Sequence, residues 1–477
     1  MSILWDVKSQ LTEKNFNNDF YDCMIAEYLL TYGQYLQTEE AVLKKYKVTT
    51  LEELAQKQQK AFEDVPEIYT LFKTIEMPLI PVLWKMENTG ILLDTERLKE
   101  IGERIDEKVI TVKEDLIKQI GFDMNLNSPI QIGNYLAEKE GVPLKKTKTG
   151  KYSTNESELI QFSDQFPIIQ KIIEYRGLAK LRSTYVDSLI TKIDENGKVH
   201  TTYSQTAANT GRLASTNPNL QNIPVTSEFG QKIKSCFTAE KGKILLSFDY
   251  SQQELRILAH LTGEEKLITA FTEKQDVHTT TASQIFNVKY DDVDKKQRSV
   301  GKTINFGIIY GMSSFGLSKS LSIPVEQAQI FIDTFYKTYP KIKEYYAQYF
   351  KKARIDTYVT TLLGRRRNIY EYPGQKFISN SMHRVLLNYP IQGSAADLMK
   401  KSMIDVYTNI VSKNENINLL LQIHDDLVFE VEEMEKKELD QLIKEIKHTM
   451  CSVYPLAVPV EVEVKIGNRW GEMQPYS

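Results

Sequence analysis

The sequence predicts an α+β fold, because three strand-like runs gather around a few acids while helical patterns fill most of the remaining chain. The first run is KILLSF, Lys243 to Phe248, which reads as a fully buried strand ending at Asp249. QQELRILAHL follows as a helix with Leu255, Leu258, Ala259 and Leu261 facing inward, so an acid sits at a strand-to-helix junction. The second is a pair: INLLLQI (Ile417 to Ile423) and LVFEV (Leu427 to Val431) flank His424-Asp425-Asp426, a hairpin by pattern with more acids at its tip. The third is PVEVEVKIG, where Val460, Val462, Val464 and Ile466 alternate with charged residues, as in a half-exposed strand.

The first 77 residues read as mostly helical, and in MPLIPVLWKMENTGILLD the helical spacing stops at Asn88-Thr89-Gly90 before a short strand-like ILLD. Charged helical patterns then run to about residue 183. They are interrupted by PLKKTKTGKYST, which sets Lys145, Lys146, Lys148 and Lys151 in a turn-forming stretch, either a solvated loop or a mobile clamp on phosphates. With 477 residues, 41% of them apolar, the chain is long enough for about three domains. Its net charge of −3 places any anion site locally rather than in the bulk charge. Cys23, Cys236 and Cys451 are odd in number and far apart, which fits reduced thiols and a cytosolic protein rather than a disulfide framework. No signal-peptide pattern and no long apolar stretch marks a membrane protein. Most of the 26 tyrosines are expected in cores and half-buried surfaces.

Asp249 and Asp425 end separate strands, and paired carboxylates of that kind can hold divalent cations for phosphoryl transfer; each acid alone is an ordinary turn residue. Arg298, Lys302, Phe306 and Tyr310 follow at successive fours, a basic-then-aromatic stripe on one helix. Such a stripe suits an anionic ligand carrying a flat base, such as a nucleoside triphosphate, although a solvated basic face beside core aromatics has the same pattern. Gly307 and Gly311 predict that this helix bends or ends there. Arg384, Asn388 and Gln392 form another series at fours, disturbed by Pro390, whose donors fit minor-groove acceptors or simply a polar surface. Arg365, Arg366 and Arg367 follow a glycine as a phosphate contact or a solvated turn.

Taken together these strings resemble the polymerase region of bacterial family A DNA polymerases, the DNA polymerase I type. DYSQQELR (Asp249 to Arg256) is similar to that family's motif A, RSVGKTINFGIIYG (Arg298 to Gly311) to motif B, and QIHDDLVFE (Gln422 to Glu430) to motif C. TGRLASTNPNLQNIP, DVH (Asp276 to His278) and TLLGRRR agree in type and order, and the resemblance runs from about residue 66 to the end.

The resemblance implies a right hand: an antiparallel-sheet palm, helical fingers and a helical thumb. Residues 1–77 would be a vestigial 3′→5′ exonuclease-like segment, 78–94 the start of the palm and 95–183 the thumb. Residues 184–262 would be the palm with motif A, 263–383 the fingers, and 384–477 the palm with motif C. It further implies that Asp249 and Asp425, with the Tyr250 carbonyl, bind two Mg²⁺ ions, for which Mn²⁺ can substitute. His278, Arg298 and Lys302 would grip the triphosphate, with Lys302 protonating pyrophosphate. Phe306 would pack on the incoming sugar, Tyr310 would guard the template position, and Glu254 would exclude a ribose 2′-hydroxyl. Arg212, Arg384, Asn388, Gln392 and His424 would contact primer, template or nascent pair, and Lys145, Lys146, Lys148, Arg365 and Arg366 the DNA backbone.

Two positions depart from the family pattern: Gln253 stands where Ile is usual, and Asp426 where Glu is. At the N-terminus Asp22 matches one exonuclease acid, but no Asp-x-Glu precedes it and no Tyr-x-x-x-Asp follows before residue 80, so no proofreading is expected. No 5′-nuclease activity is expected either. The implied protein is a monomeric, cytoplasmic, nucleoid-associated, template-directed DNA polymerase that uses dNTPs on primer-template DNA, with no membrane partner. Two rivals stay open, a catalytically silent duplex clamp and a single-subunit RNA polymerase; Glu254 beside Phe306 is the feature that separates the latter.

Overall fold

In the computed structural model, residues 1–16, 19–33, 38–224, 227–370, 375 and 378–476 are described. The N-terminal region joins two short parallel strands, Ser2–Leu4 and Phe20–Asp22, to a set of helices. Asp22 begins helix α1 (Cys23–Leu30): one carboxylate oxygen accepts from the Ile25 N–H at 2.9 Å and the other from the Val7 N–H at 2.7 Å. Helix α2 (Met77–Thr89) stops at Gly90, whose φ of +62° leaves a Cβ no room against the His200 ring. Ile91–Leu93 then forms the expected short strand, between Lys198–Val199 and Phe237–Thr238.

Helices α3 (Thr95–Ile120) and α4 (Pro167–Lys180) bury Leu98, Ile105 and Leu116 against Ile169 and Ile172. Their ion pairs, Lys108–Glu174 at 3.5 Å and Lys171–Asp115 at 3.0 Å, run in opposite chain directions, so the helices are antiparallel.

Strand β1 (Lys243–Tyr250) is the centre of the main sheet. Leu246 and Phe248 pack on one face and Leu245 on the other, all essentially inaccessible, which is why the run is apolar without alternation. The chain then builds helices α5 (Gln253–Thr262), α6 (Val277–Phe286) and α7 (Lys295–Ile309) around a separate core that includes Leu255, Leu258, Ile304 and Ile308. A capping box starts α7, with Asp294 and Gln297 bonding each other's backbone N–H at 2.8 and 3.0 Å. The helix continues through Gly307 and ends at Tyr310, where Gly311 takes φ +64°. Gly301 brings α7 onto α6: a Cβ there would lie 2.3 Å from the His278 carbonyl oxygen.

Helix α8 (Asn380–Asn409) runs unbroken through Pro390, contrary to the expected disturbance. Proline removes one backbone donor, and burial of Tyr389, Ile391 and Ala395 on either side outweighs that loss. The helix joins both cores, placing Ile391 and Leu398 in one and Met403 and Val406 in the other.

Strands β2 (Ile417–Ile423) and β3 (Asp426–Glu432) form the expected antiparallel hairpin, with His424 at φ +55° in its turn. Helix α9 (Lys436–Cys451) covers the sheet with Leu439, Leu442 and Ile446. Strand β4 (Val462–Gly467) buries Val462 and Val464 and exposes Glu463, and β5 (Gln474–Pro475) pairs with it. The sheet order is β2-β3-β1-β4-β5, antiparallel throughout. All three cysteines are free, and among the described residues no helix is long and apolar enough to cross a membrane.

Candidate active site

The sheet brings together the acids that the sequence scatters. Asp249 on β1 faces Asp426 on β3 and Glu463 on β4 in register, and the Tyr250 N–H donates to the Asp425 carbonyl at 3.0 Å. The Tyr250 hydroxyl fixes this end of the strand, bonding Ser402 and donating to the Met450 carbonyl at 2.7 Å. Burial, reinforced by the charges of Asp426 and Asp425, pushes the Asp249 carboxyl up to about 7. Burial also raises Asp425 and Asp426. Carboxylates that resist ionisation together are a donor set that a divalent cation satisfies. Among the described residues, no group of three or more His, Cys, Asp or Glu side chains converges as a complete metal cage, so carbonyl and solvent oxygens would have to complete any shell. Asp426 has a local partner, for the Ser247 hydroxyl lies 2.7 and 2.9 Å from its two oxygens.

Glu254, in the first turn of α5 and 5% exposed, is gripped from two sides. Arg212 pairs with one oxygen at 2.8 Å and the Tyr310 hydroxyl donates to the other at 2.8 Å. One carboxylate therefore ties the segment just before the Ala214–Thr216 strand, α5 and the end of α7 together.

The stripe on α7 exists as a face. Arg298 and Lys302 are exposed, Phe306 is half-buried, and the Phe306 and Tyr310 rings lie nearly parallel with centroids 6.3 Å apart. Arg298 makes a bidentate pair with Asp276, at 3.1 and 2.7 Å, and Asp276 also caps α6 through the Thr279 N–H at 2.7 Å. Burial opposes the charge on Asp276, but the bonds from Arg298 and Thr279 outweigh it and hold the carboxyl at about 2. His278, its ring 5.7 Å from that of Phe306, is pushed down to about 4 by burial, with Arg298 and Lys302 adding to the effect against Asp276. It is a neutral imidazole at pH 7. Sequence reasoning placed Asp276 only within a matching string. Its signal was present, an Asp directly before a helix start, where caps belong.

Arg384 is exposed on α8, Asn388 and Gln392 are half-buried, and the Asn388 side-chain oxygen is buried without a partner among the described residues. A cavity of about 200 Å³ opens between α8 and the hairpin turn, lined by Arg212, Gln221, Lys400, Gln422, His424 and Asp425. Lys145, Lys146 and Lys148 are exposed on a loop closed by the Lys146–Tyr152 bridge, well along the chain from these groups.

One expectation is corrected. Arg365 is 2% exposed and paired with Glu76 and Asp397, so its guanidinium cannot meet a backbone phosphate without leaving the core. Arg366 is packed 4.3 Å over the Tyr358 ring and paired with Glu67 at 3.2 Å. Arg365 faces Glu76 and Asp397, and Arg366 faces Glu67 and Tyr358, partners that a local string of basic residues does not reveal.

A family model for DNA polymerase family A matches residues 95–472. The chain is 42% identical over 404 residues to the thermostable DNA polymerase I of Thermus aquaticus, covering 84% of this chain and 48% of that protein. It is 43% identical over 406 residues to DNA polymerase I of Bacillus subtilis, covering 84% and 46%. With DNA polymerase I of Caldicellulosiruptor bescii it shares 39% over 495 residues, 99% of this chain and 58% of that one. The chain spans about half the length of the curated relatives it matches. Among solved structures it is similar to the POL domain of Pol1 from M. smegmatis in complex with DNA primer-template and dNTP. The TM-score is 0.87 at 33% identity, over 95% of this chain and 82% of that one. The mixed architecture of helices around an antiparallel sheet is thus the right-hand polymerase fold, and the chain belongs to DNA polymerase family A.

Proposed function

We propose that this chain is a template-directed DNA polymerase that extends a primer 3′-hydroxyl with deoxynucleotides and releases pyrophosphate. The observation that carries the reading is the nearness of the acids at the ends of β1 and the hairpin to the aromatic end of the α7 face: Glu254, bonded by Tyr310 at 2.8 Å, feels the charge of Asp425. The M. smegmatis domain it resembles is complexed with primer-template and dNTP, in keeping with the same ligands here.

Asp249, Asp425 and the Tyr250 carbonyl are the groups that would hold Mg²⁺, as two ions or with Mn²⁺ in its place. When bound, the metal supplies activation of the attacking hydroxyl and neutralisation of phosphate charge. Arg298, Lys302 and the neutral His278 bind the triphosphate, two as cations and one as a hydrogen-bond donor. The 3′-hydroxyl attacks the α-phosphorus in line, losing its proton to solvent as the bond to the α–β bridging oxygen breaks, and Lys302 gives a proton to the departing pyrophosphate. Phe306 packs on the sugar, and Glu254, pinned by Arg212 and Tyr310, is a fixed wall where a 2′-hydroxyl would lie. Tyr310 guards the template position. Arg212, Arg384, Asn388, Gln392 and His424 check the geometry of the terminal pair through minor-groove acceptors, while Lys145, Lys146 and Lys148 follow the backbone. The reading includes a monomer working on DNA in the cytoplasm.

The test is primer extension with Mg²⁺, supplying dNTPs or rNTPs in parallel. Extension with dNTPs alone supports the reading, equal use of rNTPs removes the role of Glu254, and duplex binding without extension turns the protein into a silent clamp.

Phe306 has no hydroxyl to replace the missing 3′-hydroxyl of a chain terminator. Phe306→Tyr is expected to ease discrimination against 2′,3′-dideoxynucleotides by about tenfold or more, on the order of one added hydrogen bond. Unchanged terminator incorporation in a gel assay would sink this.

The N-terminal segment has no part in proofreading. Both oxygens of Asp22 are engaged by backbone amides, so the side chain serves the fold as a helix cap, against a burial cost that pushes its carboxyl up to about 7. Asp22→Ala is expected to cost about 1–2 kcal/mol of stability, as cap losses do, and to leave the rate of 3′-end excision where it was. Excision of a mispaired primer end that disappears in the variant would refute this.

A further inference from the structure

A buried polar chain crosses the contact between α6 and α7 and ends on His278. The Thr281 hydroxyl lies 3.1 Å from the Tyr339 hydroxyl and donates to the Asn305 side-chain oxygen at 2.9 Å. The Asn305 amide nitrogen lies 3.5 Å from the Val277 carbonyl and 3.0 Å from Nδ1 of His278. Asn305 is wholly inaccessible, and Thr281 and Tyr339 nearly so. Gly301 makes the chain possible by letting the two helix backbones come this close.

The orientation of the amide follows from its neighbours. A backbone carbonyl can only accept, so the side of Asn305 facing Val277 is the NH₂ group, and its oxygen then faces the Thr281 hydroxyl. The NH₂ group can only donate, so Nδ1 of His278 must accept and carries no proton. A neutral imidazole has one proton, which is therefore on Nε2, and Nε2 has no hydrogen-bond partner among the described residues.

We propose that Asn305 is a positioning residue that locks His278 as its Nε2–H tautomer, so that the ring offers a donor, and never a lone pair, to the phosphate oxygens of an incoming nucleotide. This rests on the triphosphate reading of the α7 face. Without the lock, the tautomer with the proton on Nδ1 would present a lone pair to an anion, losing the bond and adding repulsion. Asn305 lies immediately before Phe306 but points away from the exposed stripe, which is why periodicity alone did not select it.

The first measurement is ¹⁵N NMR of the histidine-labelled wild-type chain without metal, DNA or nucleotide, with His278 assigned by the signals lost in His278→Gln. A protonated Nε2 and a bare Nδ1 are expected at neutral pH; the opposite tautomer or a doubly protonated ring overturns the proposal, whatever the enzyme does. The second is Asn305→Asp at about pH 9, where an imidazole is neutral. A carboxylate can only accept, so it draws the proton to Nδ1. The KM for dNTP is then expected to rise about tenfold or more, the worth of one bond to a charged acceptor, with kcat within about threefold. In a His278→Gln background, whose amide donates regardless, the same change is expected to do nothing further. An equal loss in both backgrounds would mean a merely structural role and overturn the proposal. If Asn305→Asp fails to fold, the wild-type spectrum alone decides. A wild-type protein that shows the expected tautomer but extends no primer would condemn the polymerase reading and leave the tautomer standing.

Discussion

On the proposed function, Asp249→Asn and Asp425→Asn are each expected to lower primer extension by about a thousandfold or more while primer-template affinity stays within a few fold, because they would remove charge from the proposed reacting centre and leave the proposed DNA contacts in place. Both acids lie at the convergent ends of β1 and the β2–β3 hairpin, and with Asp426 they form a set of half-buried like charges. Such a set strains the protein when no cation is present. The same substitutions are accordingly expected to raise the melting temperature in chelator by a few degrees, the usual exchange of function for stability. Mg²⁺ should raise the wild-type melting temperature and should barely move that of either variant, since a ligand stabilises only what binds it. Calorimetry with and without Mg²⁺, beside a single-turnover extension assay, checks all three outcomes. Variants that extend primers at near wild-type rates, or that keep the full Mg²⁺ response, would place the metal elsewhere.

Asp426 qualifies this picture. The family's usual Glu would reach one methylene further, and here the shorter side chain accepts the one hydrogen of the Ser247 hydroxyl, which lies 2.7 and 2.9 Å from its two oxygens. Its repulsion on Asp249 is felt through the register of the strands, with no need for direct contact with a metal.

The parts of this site that could be read from the sequence are those where local pattern and chemistry coincide. The central strand is buried on both faces, so it shows as a continuous apolar run, and the acid at its end stands out against it. The hairpin announces itself by two β-rich runs around a short polar turn. The α7 stripe repeats every fourth residue, which a helix converts directly into one face. Asn305 and Asp276 are different in kind: each acts through a partner on the neighbouring helix, and their meaning depends on Gly301 allowing that helix to approach. Pro390 shows the converse, a local signal that tertiary packing overrides. Arg365 misleads most, because a basic string after a glycine looks solvated wherever its counter-charges are remote.

Those counter-charges supply the second large effect. Arg365 lies in a core network in which Glu76 also accepts from Lys400 at 2.7 Å, and Asp397 accepts from the Arg365 Nε at 2.8 Å and from the Thr361 hydroxyl at 2.7 Å. Burial alone would raise the Glu76 carboxyl, and Lys400 and Arg365 together overcome it and hold it at about 2. Removing Arg365 leaves two buried carboxylates with one lysine, and breaking a buried pair from one side costs about 3–5 kcal/mol. Arg365→Ala is therefore expected to unfold at much lower temperature or urea concentration than wild type. Replacing both partners with apolar residues, Arg365→Leu with Asp397→Leu, is expected to recover much of that loss, because no uncompensated charge remains. The network joins the N-terminal region to α8, and its arginine packs against Gly211, where a Cβ would sit 2.4 Å from Nε, one residue before Arg212. Loosening it should thus also weaken the hold of Arg212 on Glu254. A surface phosphate contact predicts otherwise: unchanged stability, weaker DNA binding, and a salt dependence of binding shallower by about one unit of slope. Thermal melts and salt titrations of the same variants distinguish a buried strut from a DNA contact, and the two carboxylates enclosing Arg365 favour the strut.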